Sequence, residues 1–301
     1  MAHLVDEIKS SFRSGNVITR LIMVNLAVFL VCLLARLIFV FGLQDKAEAH
    51  EAFLSFISWI AVPYDIVELL FKPWTLITHM FVQYDFWHLF WNMILLFMFG
   101  KIFMSILGQS KILAVYVYGG FAGVALSMIF HYAFPGLPIG NSAIGASAAI
   151  CAVMFMITAT VPNYELNFIL IGPVKIKYIL LVLVVFDLLN IANLDNMGGH
   201  VSHLGGSAFG YWFFLRDRQG KNPAGGFNRL ISVFSPRKGK RSNLRKTPGG
   251  KRRFVPDEDY NLEKKSKEEE LNAILDKIGK SGYESLSKDE KDKLFRYSQD
   301  Q

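Results

Sequence analysis

Four side chains of the kinds used in hydrolytic chemistry lie within long apolar stretches of the sequence: His88, Asn92, Ser147 and His203. A serine hydroxyl becomes an effective nucleophile when a neighbouring base takes its proton, and a neutral imidazole suits that role near pH 7. His88 and Asn92 are spaced i, i+4, so on a helix they share one face, from which N–H donors can stabilise an oxyanion. These residue types predict nucleophilic hydrolysis, with Ser147 as the nucleophile and His203 as the general base.

The apolar stretches are long enough to cross a membrane. A membrane-spanning helix needs about 20 apolar residues, and the sequence contains six candidate segments, at 18–41, 86–107, 113–134, 144–161, 176–192 and 199–215. Lysines and arginines concentrate before the first segment and after the second, fourth and sixth, whereas the alternate loops hold few or none. By the positive-inside rule, both termini are expected to be cytoplasmic. The expected fold class is all-α: a polytopic membrane protein with a six-helix core and a cytoplasmic helical tail.

This orientation brings the candidate residues to one depth. The second, fourth and sixth segments run from the outer side inwards. His88 and Asn92 lie in the first turns of the second segment, and Ser147 lies just inside the fourth. His203 lies one turn into the sixth. At a rise of about 1.5 Å per residue, all four are predicted roughly 5–10 Å below the outer membrane surface. Polar groups at this depth are costly and therefore indicate function.

Small residues are available where the helices that carry Ser147 and His203 would have to meet. Gly206 and Gly210 form a GxxxG pattern in the sixth segment. At the start of the fourth segment, Gly145 and the alanines beside Ser147 provide small side chains. Such patterns allow close approach of membrane helices. A hydrogen bond between a serine on one helix and a histidine on another requires that approach.

The motifs His88-Leu-Phe-Trp-Asn92, Gly145-Ala-Ser147-Ala148 and His203-Leu-Gly-Gly206-Ser-Ala-Phe-Gly210 together resemble those of the rhomboid family of intramembrane serine proteases. The resemblance covers roughly residues 18–215. It implies a serine–histidine dyad without an acid, in which His88, Asn92 and the Ser147 amide stabilise the oxyanion. It also implies single-span membrane proteins as substrates, cut near the outer face of the cell's inner membrane, and no cofactor.

Four positions depart from the family's pattern. Ala148 stands where glycine is usual, Met104 where glutamate is common, and Thr75 where arginine is frequent. Cys151 occupies a position where an aromatic ring often supports the histidine, so the orientation of His203 is expected to be looser. No catalytic group is lost, and activity is still expected.

Other residues and other functions also fit parts of this pattern. His200 is the main rival to His203 as the base, while His79 and His131 are expected to face the interface or water. No HExxH zinc motif occurs, and the histidines are expected to lack a carboxylate partner, so no metal site is predicted. Two rival functions are a non-catalytic membrane chaperone or binding protein, and a transporter. A transporter should place its polar groups at the membrane midplane, but here they are predicted near one face. Asp187 is the sole acid within the predicted segments.

The chain is divided by composition. Residues 1–17 are a predicted cytoplasmic segment, 18–215 the membrane protease domain, 216–258 a basic flexible linker and 259–301 a small helical hairpin. Residues 216–253 hold thirteen Lys or Arg, which predicts attraction to anionic lipid rather than to nucleic acid. The linker also contains an amphipathic pattern typical of a helix on a membrane surface, at Phe227, Leu230, Ile231 and Phe234. The hairpin, with a capping box from Ser287 to Glu290, is expected to bind a partner protein or to dock on the core.

Overall fold

The computed structural model describes residues 10, 12, 14–83, 85–168, 171–234, 272–282, 285–287, 289–291 and 294. The chain divides into two compact units, Met1–Pro236 and Arg237–Gln301.

The first unit is mostly helical. Its α-helices, in chain order, are α1 Val17–Leu43, α2 Lys46–Ser58, α3 Ile66–Phe71, α4 Thr75–Thr78, α5 Phe86–Leu107, α6 Gln109–Ala133, α7 Ser147–Thr160, α8 Ile176–Ala192, α9 Met197–Arg218 and α10 Ala224–Phe234. A 3₁₀ turn covers His79–Phe81. Two short antiparallel strand pairs complete the unit: β1 Val62–Pro63 with β2 Ser142–Ala143, and β3 Glu165–Phe168 with β4 Gly172–Lys175.

The six segments predicted to cross the membrane coincide with α1, α5, α6, α7, α8 and α9. Within the described residues, three of these helices are long and apolar enough to cross a membrane, namely α1, α5 and α6. Helix α7 has 14 residues and α8 has 17. Large apolar side chains are exposed along α1 and α8, for example Ile38 and Val182, as expected for helices that face lipid hydrocarbon.

Helices α6, α7 and α9 form the centre of the unit. Glycines make this possible, because a Cβ at Gly119 or Gly123 of α6 would overlap the side chains of Ala152 or Ala148 of α7. Helix α7 is buried along most of its length. This short apolar helix is therefore enclosed by protein rather than by lipid.

The loop between α1 and α5 is folded rather than extended. Trp59 and Trp74 stack with centroids 6.4 Å apart, and the Trp74 indole N–H donates to the Trp59 carbonyl at 2.8 Å. The loop also carries β1, which pairs with β2 just before α7. The Gly145 amide donates to the His79 carbonyl at 2.8 Å. These contacts fix the turn that precedes α7.

The segment after α9 is more ordered than a flexible linker as far as residue 234. Helix α9 continues to Arg218, and α10 packs on α6 through Phe227 against Tyr118 and through Asn228 Nδ2, which donates to the Ser110 carbonyl. Lys111 of α6 also pairs with Asp217 of α9. The rest of the predicted linker, 235–258, lies outside the described residues.

The described part of the second unit contains a helix over residues 272–281. The Ser287 amide donates to Glu290 Oε2 at 2.7 Å, and the Glu290 amide donates to Ser287 Oγ at 3.3 Å. This reciprocal pair is the capping box that the sequence predicts. Lys277 Nζ contacts both carboxylate oxygens of Glu290 at 2.9 and 3.0 Å. The ion pair connects the helix to the segment that follows it.

Candidate functional site

Ser147 is the first residue of α7, and the turn before it requires glycine. Gly145 has φ +125°, in the region that side chains disfavour. A Cβ at this position would lie only 3.0 Å from Cε1 of the His88 ring. The predicted fourth segment therefore begins later than residue 144, because the backbone is extended through β2 and turns at Gly145. The Ser147 side chain is half-buried at the start of the helix.

His88 lies beside Ser147 across this turn. Its Nε2 atom and the Ser147 Oγ atom lie 3.2 and 3.5 Å from the same point, the Cβ position of Gly145. His88 belongs to the first turn of α5, where Asp85 caps the helix by accepting from the His88 amide at 2.9 Å. His203 lies one turn before Gly206, whose Cβ position overlaps the Ala148 carbonyl, so the helix of His203 passes next to Ser147. The structure thus brings His88, Ser147 and His203 to one place.

His203 of α9 is hydrogen-bonded to an acid. Its Nδ1 atom lies 2.7 Å from Oδ1 of Asp187, a buried carboxylate on α8. The expectation that the histidines lack a carboxylate partner, and that the site has no acid, is wrong in this respect. Because a carboxylate accepts hydrogen bonds, the proton of the neutral ring is on Nδ1 and the lone pair is on Nε2. That is the tautomer a general base needs.

His200 shares the same acceptor. Its Nδ1 atom also lies 2.7 Å from Asp187 Oδ1, and the two histidine rings are 5.4 Å apart and nearly perpendicular. His200 packs edge-on against Phe186 of α8. Contact with Asp187 therefore does not distinguish His200 from His203. His203 is one turn nearer than His200 to the contact of Gly206 with the Ala148 carbonyl beside Ser147, which favours His203 as the base.

Asn92 has a different set of contacts from those expected. Its Nδ2 atom donates to Gln83 Oε1 at 2.8 Å, and Gln83 Nε2 donates to Asn25 Oδ1 at 2.7 Å. Asn25 in turn donates to the Leu21 carbonyl. The chain of buried amides links α5 to α1. At least one of the two Asn92 N–H groups is therefore engaged away from the proposed oxyanion.

Gly206 and Gly210 lie where α9 crosses α7. A Cβ on Gly206 would overlap the Ala148 carbonyl, and one on Gly210 would overlap the Ala152 carbonyl. The two backbones are therefore in direct contact over one turn. This contact begins one residue after Ser147 and one turn after His203.

Three of the residues that differ from the family's pattern, Cys151, Thr75 and Met104, have contacts that the structure describes. Cys151 lies one turn beyond Ser147 on α7, close to Ser207 and to Asp187. Thr75 is buried and its hydroxyl donates to the Lys72 carbonyl at 2.6 Å. Met104 packs on the main hydrophobic core. The described hydrogen bond of the His203 side chain is with Asp187 of α8.

His79 is buried, with 3% of its surface exposed, so the expectation that it faces the interface or water is wrong. Its Nδ1 atom lies 2.8 Å from the Thr75 carbonyl, while its own carbonyl accepts from Gly145. His79 thus links the loop between α1 and α5 to the turn before Ser147. Sequence reasoning missed this role because it depends on a backbone carbonyl.

Among the described residues, the side-chain hydrogen bonds of His203 run to Asp187, and none joins the ring to Ser147. Catalytic hydrogen bonds are often long in the absence of substrate and tighten when it binds. Three neighbouring helices thus carry a candidate serine nucleophile, Ser147, a candidate histidine base, His203, and an orienting acid, Asp187.

Comparison with known proteins identifies two family models and two relatives that this chain resembles. Residues 70–219, which include all four candidate residues, match the Rhomboid domain, and residues 256–300 match a family of unknown function, DUF6576. The chain is 29% identical over 135 residues to presenilin-associated rhomboid-like protein A, mitochondrial, from Danio rerio, a match covering 44% of this chain and 34% of the relative. It is also 29% identical over 158 residues to RHOMBOID-like protein 12, mitochondrial, from Arabidopsis thaliana, covering 49% and 47%. The chain thus covers less than half the length of either relative.

Proposed function

The chain belongs to the rhomboid family, and we propose that it is an intramembrane serine endopeptidase that hydrolyses peptide bonds of single-span membrane proteins. The observation that carries the proposal is the hydrogen bond from His203 Nδ1 to buried Asp187, beside the helix that begins at Ser147. This bond leaves His203 Nε2 as a proton acceptor.

The reaction follows from that tautomer. Ser147 Oγ attacks the substrate carbonyl while His203 Nε2 takes the serine proton, giving a tetrahedral intermediate. Asp187 keeps the ring oriented and stabilises the imidazolium that forms. His203 then returns the proton to the leaving amine, which produces an acyl-enzyme. Water, deprotonated by the same imidazole, hydrolyses the ester and restores Ser147.

The oxyanion would be stabilised at the start of α7. The first backbone hydrogen bond within this helix is from the Ile150 amide to the Ala146 carbonyl, so the preceding amides, including that of Ser147, have no intrahelical acceptor. The helix N-terminus also carries a partial positive charge. His88 adds a side-chain donor beside Ser147. One such donor is typically worth about 3–4 kcal/mol of activation free energy.

The proposed setting is a membrane crossed by α1, α5, α6, α7, α8 and α9, with both termini cytoplasmic and the site near the outer face. The charge pattern of the loops supports this orientation. Substrates with small or helix-breaking residues near the cut are favoured, because the scissile backbone must leave its helix to be attacked. The membrane proposed is the cell's inner membrane, although both relatives above carry mitochondrial names.

Roles outside the core are also proposals. The basic segment after α9 is proposed to contact anionic lipid, since α10 exposes Leu230 and Val233 as a membrane-surface helix does. Residues 259–301 are proposed to bind a partner protein. Nucleic acid, cofactor and metal are not required by the proposed reaction.

The test is covalent labelling with a fluorophosphonate serine-hydrolase probe. The full chain in detergent is expected to be labelled, and Ser147→Ala and His203→Ala are expected to abolish labelling. Ser142→Ala is the matched control, because Ser142 is an exposed serine five residues earlier in the same segment, and it should leave labelling unchanged. An unlabelled but folded parent chain would favour the rival function, a non-catalytic membrane binding protein.

A further inference from the structure

We propose that Asp187, His200 and His203 form a binding site for a divalent cation of the zinc class, and that the bound cation inhibits hydrolysis. The inhibition rests on the proposed function, whereas the binding does not. The observation is the sharing of one carboxylate oxygen by two imidazoles inside the helical core.

The three side chains offer a donor set that zinc prefers. Histidine nitrogen and aspartate oxygen are standard zinc ligands, and three protein ligands with a water in the fourth position make an open tetrahedral site. One potential ligand atom from each side chain lies within 4.8 Å of the other two. His200 and His203 are spaced i, i+3 on α9, so both face Asp187 on α8. Two rigid helices therefore hold all three ligands.

The present spacing is close to that of a metal site. With metal–ligand distances of about 2.0–2.2 Å, neighbouring ligands of a tetrahedral ion lie about 3.3 Å apart. The two N···O distances are now 2.7 Å, and the largest separation in the cluster is at most 4.8 Å. Small rotations of the three side chains bring the distances to the required value. Phe186, edge-on to His200, limits how far that ring can turn away.

Metal binding would remove the base by changing its tautomer. In the hydrogen-bonded state, the proton is on Nδ1 of His203, towards Asp187, and the lone pair is on Nε2. A cation that takes the Nδ1 lone pair requires the proton of the neutral ring to be on Nε2. The proton leaves Nδ1 and Nε2 gains one from solvent, so no net proton is lost. An Nε2–H group cannot accept the Ser147 proton, and binding and catalysis exclude each other.

Binding is tested on the full chain with Ser147→Ala, titrated with zinc chloride in detergent by isothermal calorimetry. One zinc ion per chain is expected. His200→Gln and Asp187→Asn, each added to Ser147→Ala, are expected to weaken binding at least about tenfold. His50→Gln, also added to Ser147→Ala, is the matched control, since His50 is an exposed histidine outside the cluster. The zinc affinity of this control should not change. Equal affinity in all four proteins, or no binding in any, would overturn the site.

A measurement on the unsubstituted chain gives a result that does not depend on whether the variants fold. Cobalt(II) in a tetrahedral nitrogen–oxygen site gives intense visible absorption bands, and these are expected with one equivalent of cobalt and should disappear when zinc is added. An unchanged, weak octahedral spectrum would overturn the proposed geometry.

Inhibition is measured separately, by the rate of fluorophosphonate labelling with zinc and after addition of a chelator. Zinc is expected to slow labelling at least tenfold, reversibly, and the effect should be lost in His200→Gln relative to that variant's own metal-free rate. Zinc binding without slower labelling would overturn the inhibition. A chain that binds zinc but is never labelled would overturn the proposed function and leave the metal site standing.

Discussion

Asp187 Oδ1 lies 2.7 Å from His203 Nδ1, so a buried carboxylate on α8 orients an imidazole on α9. The resemblance to rhomboid proteases implied a base without an acid partner. In this chain the acid is present, and a cysteine stands at the position from which an aromatic ring would support the histidine. The carboxylate gives the His203 ring a hydrogen-bond acceptor, which fixes both the ring orientation and its tautomer.

Asp187→Asn is expected to slow fluorophosphonate labelling by a factor on the order of 10³ or more, because an amide can stabilise the wrong tautomer of His203. The measurement is the second-order labelling rate of the full chain in detergent. Asp187→Glu keeps the carboxylate and should recover part of the rate.

The matched variant for this prediction is Asp195→Asn, which changes an exposed acid in the loop before α9. Its labelling rate should equal that of the parent. If Asp187→Asn labels as fast as Asp195→Asn, the carboxylate does not position the base.

His88 and Asn92 are expected to differ, although both belong to one motif. His88→Ala should slow labelling by about 10²-fold without loss of stability, since His88 lies beside Ser147 and acts as an oxyanion donor. Trp87→Ala, an exposed neighbour in the same turn, is the control and should have little effect on the rate. Equal rates for the two variants would contradict the oxyanion role of His88.

Asn92→Ala is expected to lower the free energy of unfolding by about 1–3 kcal/mol, because Gln83 Oε1 would lose its buried donor. Thermal unfolding in detergent measures this loss. Gln83→Ala should destabilise the protein to a similar extent, and the double variant should cost less than the sum of the two. Strict additivity would show that the two amides do not interact.

The helices were predictable because their signals are local. Long apolar segments and basic loops identify spans regardless of what they pack against, and the six predicted segments coincide with helices. The shared depth of Ser147 and His203, inferred from the predicted chain direction, stays a prediction. The start of α7 was misplaced by three residues, since the strand pairing of Ser142 with Pro63 is a long-range contact.

The Asp187 pair was not predicted because it depends on the rotation of α8 about its axis. The residues around Asp187 are apolar, so the sequence pattern does not show which face of the helix is turned to α9. A signal was available nonetheless. Acids within spans pair with other polar groups, and Asp187 is the sole acid in the predicted segments. The buried amides of Gln83 and Asn25 gave no comparable signal.

Gly206→Ala is expected to destabilise the protein by about 1–3 kcal/mol, the range for overpacking. Its Cβ would overlap the Ala148 carbonyl, which is backbone and cannot rotate away. Labelling should also fall, since α7 and α9 would separate next to Ser147 and His203. Thermal unfolding and labelling rate measure the two effects.

Gly226→Ala is the matched control. Gly226 lies in α10 and has no atom within 4 Å of its Cβ position, so alanine should be neutral or slightly stabilising through its helix propensity. Similar melting temperatures for the two variants would show that α7 and α9 do not need close contact at Gly206.

The stability of the protein should depend on pH through His79, in the loop between α1 and α5. Burial lowers the pKa of His79 to about 4, against about 6.5 in the unfolded chain. The folded protein therefore holds His79 neutral, and the unfolded chain binds the proton first as the pH falls. The stability contributed by this residue is complete above about pH 6.5 and is lost as the pH falls towards 4, by up to about 3 kcal/mol.

Thermal unfolding at pH 7.5 and at pH 4.5 measures the effect, with His79→Gln as the variant that cannot titrate. Glutamine retains an N–H donor for the Thr75 carbonyl, which accepts from the His79 ring in the folded protein. The parent should lose more stability than His79→Gln between the two pH values, and His50→Gln should behave like the parent because His50 is exposed. If His79→Gln loses as much stability as the parent, the acid sensitivity arises elsewhere. If only His79→Gln loses less stability than the parent, burial of the neutral His79 imidazole, in the loop between α1 and α5, is the source of the acid sensitivity.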